Sequence, residues 1–156
     1  LGKLSDLIEF INKNRDRKIC IIVSGDTGFY SLLSFLRKNY SREELNVIPG
    51  ISSYQYLFSR IGEVWQDYKL LSVHGREAEY VEIFSKERGI VLLTDNINTP
   101  YVIAKNIYEA GYRDVEIVVG ERLSYPDEKI TFINIEDYEK LNREFFINLM
   151  IVRKKS

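Results

Sequence analysis

A single cysteine and a single histidine set the first limits on this chain of 156 residues. Cys20 has no partner for an internal disulfide. One His with one Cys cannot supply a zinc site of the usual His/Cys kind, so no metal is expected. No stretch approaches the roughly 20 apolar residues of a membrane span, and no signal-peptide pattern is present. The expectation is a cytoplasmic protein that meets no membrane. An excess of basic charge is also lacking. The formal net charge is -1, which argues against a nucleic-acid partner, whose phosphates require a concentrated basic face. What the chain does have is 45% hydrophobic and 29% charged residues, close to an ordinary globular domain.

Its apolar residues fall into alternating periods. Leu4, Leu7, Ile8 and Ile11 fall at helical spacing from the outset, and the chain reads as opening inside a fold. Residues 18–24 form a β-branched run that predicts a buried strand, with Cys20 as an inert buried thiol. The turn Gly25-Asp26-Thr27-Gly28 leads into a predicted helix over 29–39. Ser41 and Glu44 fit a capped turn, 46–48 a short strand, and 51–61 a further helix capped by Ser52 or Ser53. Helix, strand, helix, strand, helix implies parallel strands with crossovers. Two strands make a poor sheet, so at least one more is expected, before Leu1.

After a linker at 62–67 a second series follows. Strands are predicted at 68–73, 90–94, 115–119, 129–135 and 145–152, with helices at 78–86 and 100–110. Pro100 suits a first helical turn and Gly111 the residue past its end. The fold class is therefore α/β with two small domains. Residues 1–64 carry an incomplete parallel sheet, and 65–156 carry a mixed sheet of about five strands. The run Arg153-Lys154-Lys155 reads as a solvated tail.

Two glycine turns carry the chemical interest. Ser24-Gly25-Asp26-Thr27-Gly28-Phe29-Tyr30 follows one predicted strand, and Pro49-Gly50-Ile51-Ser52-Ser53 follows the next. At the carboxyl ends of parallel strands such turns line a ligand crevice, because glycines allow close backbone approach. The plain alternative is a pair of tight strand-to-helix turns, with Asp26 and a serine as caps. His74, after an apolar strand and beside Gly75 and Arg76, either is structural or faces a site. Arg76 suits a carboxylate-rich substrate through bidentate contacts. Tyr54 and Tyr56 offer either stacking for a flat ligand or packing.

The order of these motifs carries a resemblance. The two turns come first, then Trp65-Gln66-Asp67 and Ser72-Val73-His74-Gly75-Arg76. Leu92-Leu93-Thr94-Asp95 with Thr99-Pro100 follows, then Gly120-Glu121-Arg122-Leu123 with Tyr125-Pro126-Asp127-Glu128. Together they resemble the tetrapyrrole methylase family, in its precorrin-6Y/cobalt-precorrin-7 C-5 methyltransferase branch. The resemblance covers nearly the whole chain, and residues 65–76 are its most branch-specific part. It implies two α/β domains, S-adenosyl-L-methionine held in the cleft between them, and a homodimer. It further implies cofactor contacts from Gly25, Asp26, Phe29, Ser52, Ser53, Thr94 and Leu123, with Arg76 and His74 toward the tetrapyrrole. Two departures are visible. Thr27 stands where the family has proline, and the family's opening strand with its G-x-G-P-G loop has no counterpart here.

The implied activity is methylation of a meso ring carbon, C-5, of a precorrin or cobalt-precorrin in cobalamin synthesis. A decarboxylating C-15 methyltransferase is the implied partner. Methyl transfer from a sulfonium needs orientation and desolvation rather than a nucleophilic side chain. No catalytic residue is assigned; Asp26 and His74 stand unranked as bases. Two rivals remain: a methyltransferase of this fold acting on a diphthamide precursor or ribosomal RNA, and a non-catalytic α/β ligand-binding module.

Overall fold

A computed structural model describes residues 4–73, 75 and 79–155. His74 and Arg76 lie outside the described residues. Packing divides the chain into two units, Leu1–Ser52 and Ser53–Ser156. The helix after Ser52 therefore packs with the second unit, although the sequence places the boundary at 64/65.

The first unit holds α1 (Leu4–Lys13) and a single helical turn, α2 (Leu33–Leu36). α1 and the turn after it are tied down by polar residues. The Tyr40 hydroxyl donates to Asn12 Oδ1 at 3.3 Å, and Arg15 pairs with Glu44 at 3.2 Å. The Ser41 N–H in turn donates to the Glu44 carboxylate at 2.8 Å, the return half of the capping arrangement the sequence suggests. The backbone amide of Ser41 is also the main reason the Glu44 carboxyl lies below its ordinary value.

Three expectations for this unit are corrected. Residues 18–24 and 46–48 belong to no ladder, so the parallel sheet expected of 1–64 is absent from the described first unit. Strand-like residues become a strand only when a neighbour takes their N–H and C=O groups. Without one, Ile22 and Ile48 are 91% and 72% exposed, and Cys20 is exposed rather than buried. The helix expected over 29–39 shrinks to α2; Tyr30, at φ +48°, keeps it from starting earlier, since no α-helix continues through left-handed backbone.

The second unit follows its sequence pattern closely. α3 (Ser53–Ile61), β1 (Tyr68–Ser72), α4 (Tyr80–Lys86), β2 (Gly89–Leu93), α5 (Pro100–Glu109), β3 (Val115–Glu121), β4 (Lys129–Asn134) and β5 (Asn148–Lys154) appear in that order. A 3-10 helix, Ile135–Leu141, joins β4 to β5's approach and was not expected. The Thr99 side chain accepts the Val102 N–H at 3.3 Å, which caps α5 one residue ahead of Pro100.

The five strands form one mixed sheet in the order β1-β2-β5-β3-β4. β1 and β2 are parallel, whereas β5 runs antiparallel to both β2 and β3, and β4 antiparallel to β3. Alternation along the strands sorts the core into two faces. Ile90, Leu92, Ile117, Val119, Met150 and Val152 meet Phe84, Ile103, Ile107 and Leu141 from α4, α5 and the 3-10 helix. The opposite face carries Val91, Val118, Leu149 and Ile151, all buried. On α3, Tyr54, Leu57 and Phe58 are its buried residues, at helical spacing. The Phe58 ring meets Tyr68 edge-on at 4.9 Å.

Arg153 joins α3's exit to the sheet. It is not part of a solvated tail, since it belongs to β5 and its side chain is only 16% exposed. Its Nε lies 2.9 Å from Glu116 Oε2 on the adjacent strand, and it also pairs with Glu63 beyond α3. Burial works against its charge, but Glu63, Glu116 and the Tyr68 hydroxyl overcome this and hold the guanidinium firmly protonated. Arg153→Met leaves two carboxylates facing one another. Such losses cost about 3–5 kcal/mol when fully buried. Partial exposure of both carboxylates reduces the expected loss to about 1–3 kcal/mol, read as a lower urea midpoint at constant slope. An unchanged midpoint would mean that this junction adds nothing to stability.

Candidate functional site

In the first unit the two glycine turns touch backbone to backbone. A side chain at Gly50 would place its Cβ 2.4 Å from the Gly25 carbonyl oxygen, far inside van der Waals contact. Gly25 itself sits at φ +72°, with the Ile51 carbonyl oxygen and Ser52 Cα at 3.6 and 3.7 Å from its own Cβ position. Both positions therefore require glycine, one for space and the other for conformation. Asp26 is half-buried, and its Oδ1 accepts the Gly28 N–H at 2.8 Å, which makes the loop an Asx-turn. Phe29 packs edge-on to Tyr30 at 5.0 Å. Ser52 is buried. Gly25, Asp26 and Ser52 thus come together in this unit, with Phe29 just beyond the turn.

In the second unit Ser53 begins α3. Thr94 follows β2 and is buried; its hydroxyl donates to Asn148 Oδ1 at 2.6 Å. The carboxylate of Asp95 gathers the next loop, accepting the Ile97 and Asn98 N–H groups at 2.8 and 2.6 Å and the Gly75 N–H at 2.8 Å. Asn98 Nδ2 donates to the Val73 carbonyl at 3.1 Å. The carboxyl ends of parallel β1 and β2 are thereby fixed beside each other, at the edge where α/β sheets place ligands.

Leu123 stands on the turn after β3, folded back over Gly120. A Cβ on Gly120 would meet the two Leu123 methyls at 2.9 and 3.1 Å, and Leu57 Cδ1 at 3.1 Å. The turn is strained, with Arg122 at φ +46° and Ser124 at φ +69°, and neither is glycine. Arg122 pairs with Asp127 at 2.6 Å and lies 4.8 Å from the Tyr125 ring centroid. Glu121, buried at the end of β3, is held by Arg143.

The profile of the family described as Tetrapyrrole (Corrin/Porphyrin) Methylases matches residues 4–139. The chain belongs to that family. It is 29% identical over 146 residues to the cobalt-precorrin-7 C(5)-methyltransferase of Salmonella typhimurium, a match that covers 94% of this chain and 71% of the relative. Among solved structures, the cobalamin biosynthesis precorrin-6Y methylase of Archaeoglobus fulgidus superposes with a TM-score of 0.70 at 20% identity, covering 97% of this chain and 71% of that one. The uroporphyrin-III C-methyl transferase of Thermus thermophilus, complexed with S-adenyl homocysteine, superposes at 0.69 and 18% identity, covering 97% and 73%. At these identities the structures establish a shared fold.

Sequence reasoning missed Asn148, the hydrogen-bond partner of Thr94, and the gathering role of Asp95. Asp95 was legible in principle, since an Asx residue just past a strand is a turn-former. Asn148 was not, being 54 residues away along the chain. Gly50→Ala is expected to lose about 1–3 kcal/mol and to speed hydrogen exchange at amides 25–29 and 50–52. Gly28→Ala, whose Cβ meets two side-chain atoms, Asp26 Oδ1 at 3.3 Å and Leu33 Cδ2 at 4.0 Å, is expected to lose about 0.5 kcal/mol or less. Equal exchange in the two variants would show that the close approach is no constraint.

Proposed function

We propose that this methylase transfers a methyl group from S-adenosyl-L-methionine to C-5, a meso ring carbon, of a precorrin or cobalt-precorrin. The observation that carries the reading is its likeness, along 94% of its length, to a cobalt-precorrin-7 C(5)-methyltransferase. The described residues suit such a donor. Ser52 and Ser53 offer hydroxyls that both donate and accept, the Thr94 hydroxyl, which donates to Asn148 Oδ1, can still accept, and Phe29 and Leu123 offer apolar walls. When bound, the donor supplies an electrophilic methyl on a sulfonium.

In this reading Gly25, Asp26, Phe29 and Ser52, together with Ser53, Thr94 and Leu123, hold the donor, while Arg76 meets the tetrapyrrole's carboxylates and His74 also binds the tetrapyrrole. The residues supply orientation and exclusion of water, so no side-chain nucleophile is required. Asp26 Oδ1 already accepts a backbone N–H, a bond suited to fixing the loop. The proposal extends to a homodimer in the cytoplasm, with a decarboxylating C-15 methyltransferase as partner. Among the described residues no helix is long and apolar enough to cross a membrane.

Titration calorimetry with S-adenosylhomocysteine tests the donor site. Saturable binding is expected at micromolar concentration. Thr94→Ala is expected to weaken it about tenfold, the worth of one hydrogen-bonding hydroxyl. No heat at high micromolar ligand would sink the proposal. Donor binding without methylation of any precorrin, followed by mass spectrometry, would favour the non-catalytic alternative.

A further inference from the structure

In the motif Tyr125-Pro126-Asp127-Glu128, Tyr125 and Asp127 accompany Arg122, while Glu128 reaches both its own loop and α3. Its side chain is only 12% exposed. One oxygen accepts the Ser124 N–H at 2.8 Å. The other lies 2.8 Å from Arg60 Nε on α3, and the Tyr56 hydroxyl, one helical turn before Arg60, also bonds to the carboxylate. Glu128 thus clasps the turn that presents Leu123 to the helix that begins at Ser53. Leu57 of the same helix meets Leu123 over Gly120.

The clasp opposes a strain. Arg122 and Ser124 flank Leu123 in left-handed conformations, each costing a side-chain-bearing residue about 1 kcal/mol or more. A turn left to itself relaxes out of such a state and carries the intervening residue with it. The Glu128 bond falls on the N–H of Ser124, one of the two strained residues. The other, Arg122, is anchored through its N–H to the Ile147 carbonyl at 2.9 Å and through its side chain to Asp127.

We propose that Glu128 is a positioning residue for the methyl-donor site, which keeps Leu123 seated on Gly120 by holding the strained turn against α3. This rests on the donor-site reading above for its functional half. The groups that face Glu128 are the Ser124 amide on its own loop and Tyr56 and Arg60 on α3; the Arg122–Asp127 pair flanks it on the loop. The Ser124 amide, then Tyr56 and Arg60, hold its carboxyl below the ordinary value despite the opposing effect of burial. A lowered value means that the clasp is intact at neutral pH. It opens only as pH falls through the folded-state value, below the usual glutamate range of about 4.3.

The test compares the wild-type chain with Glu128→Gln, which keeps the shape and removes the charge. S-adenosylhomocysteine binding is measured by calorimetry from about pH 8 down to about pH 3, so that the scan passes well below the ordinary glutamate value. In parallel, the methyl signals of Leu123 are followed by NMR in the ligand-free chain. Glu128→Gln is expected to bind about tenfold more weakly at neutral pH, to lose the acid weakening seen in wild type, and to show displaced Leu123 methyl signals. Adding Ser124→Gly, which removes the left-handed cost at that position, is expected to restore binding in the Gln background; rescue by lowered strain separates positioning from a general loss of stability. Wild-type affinity and pH profile in Glu128→Gln, or unmoved Leu123 signals, would overturn the proposal. If wild type binds no ligand the donor-site reading fails instead, and the Leu123 signals alone decide whether Glu128 holds the turn.

Discussion

The hydrogen-bond ladder of β5 is the constraint on which the second unit rests. β1 pairs with β2 and β3 pairs with β4, but only β5 links the two pairs. It exchanges main-chain bonds with β2 on one side and β3 on the other, from Asn148 to Lys154. Both faces of β5 are also covered, so Leu149, Met150, Ile151 and Val152 all lie inside. Its far end carries Arg153, whose ion pairs reach across to Glu116 and to the exit of α3.

The candidate donor residues of this unit hang from the other end of the same strand. Asn148 stands opposite Glu121 in the ladder with β3 and accepts a hydrogen bond from the Thr94 hydroxyl beyond β2. Leu123 lies just past Glu121 on the turn that Glu128 clasps. The sheet therefore sets the spacing of Thr94 and Leu123 through residues that need touch no ligand. In the first unit the equivalent constraint is steric, where Gly50 admits the Gly25 carbonyl so closely that neither turn can take another residue.

Much of the second unit was legible because its signals are local. Apolar runs marked the five strands, and Thr99-Pro100 marked the start of α5. The insertion of β5 between β2 and β3 was not legible, since periodicity tells which residues form a strand but not which neighbour they choose. The 3-10 helix at Ile135–Leu141 escaped for the opposite reason, its few residues being too short for a period. In the first unit, residues 18–24 have the composition of a buried strand without a ladder to bury them, and Tyr30 breaks the helix through a backbone angle that a tyrosine does not announce. Of the site, the glycine turns and their adjacency could be read from the chain. The bond between Thr94 and Asn148 could not, since it joins segments brought together only by the sheet.

The exposure of Cys20 has a practical side. It is the single cysteine of the chain and its thiol faces solvent, so a maleimide dye or nitroxide would attach at one place without any engineering. That place lies on the segment leading into the Gly25 turn. A spin or fluorescence probe there would report selectively on the first unit, leaving the sheet of the second unlabelled.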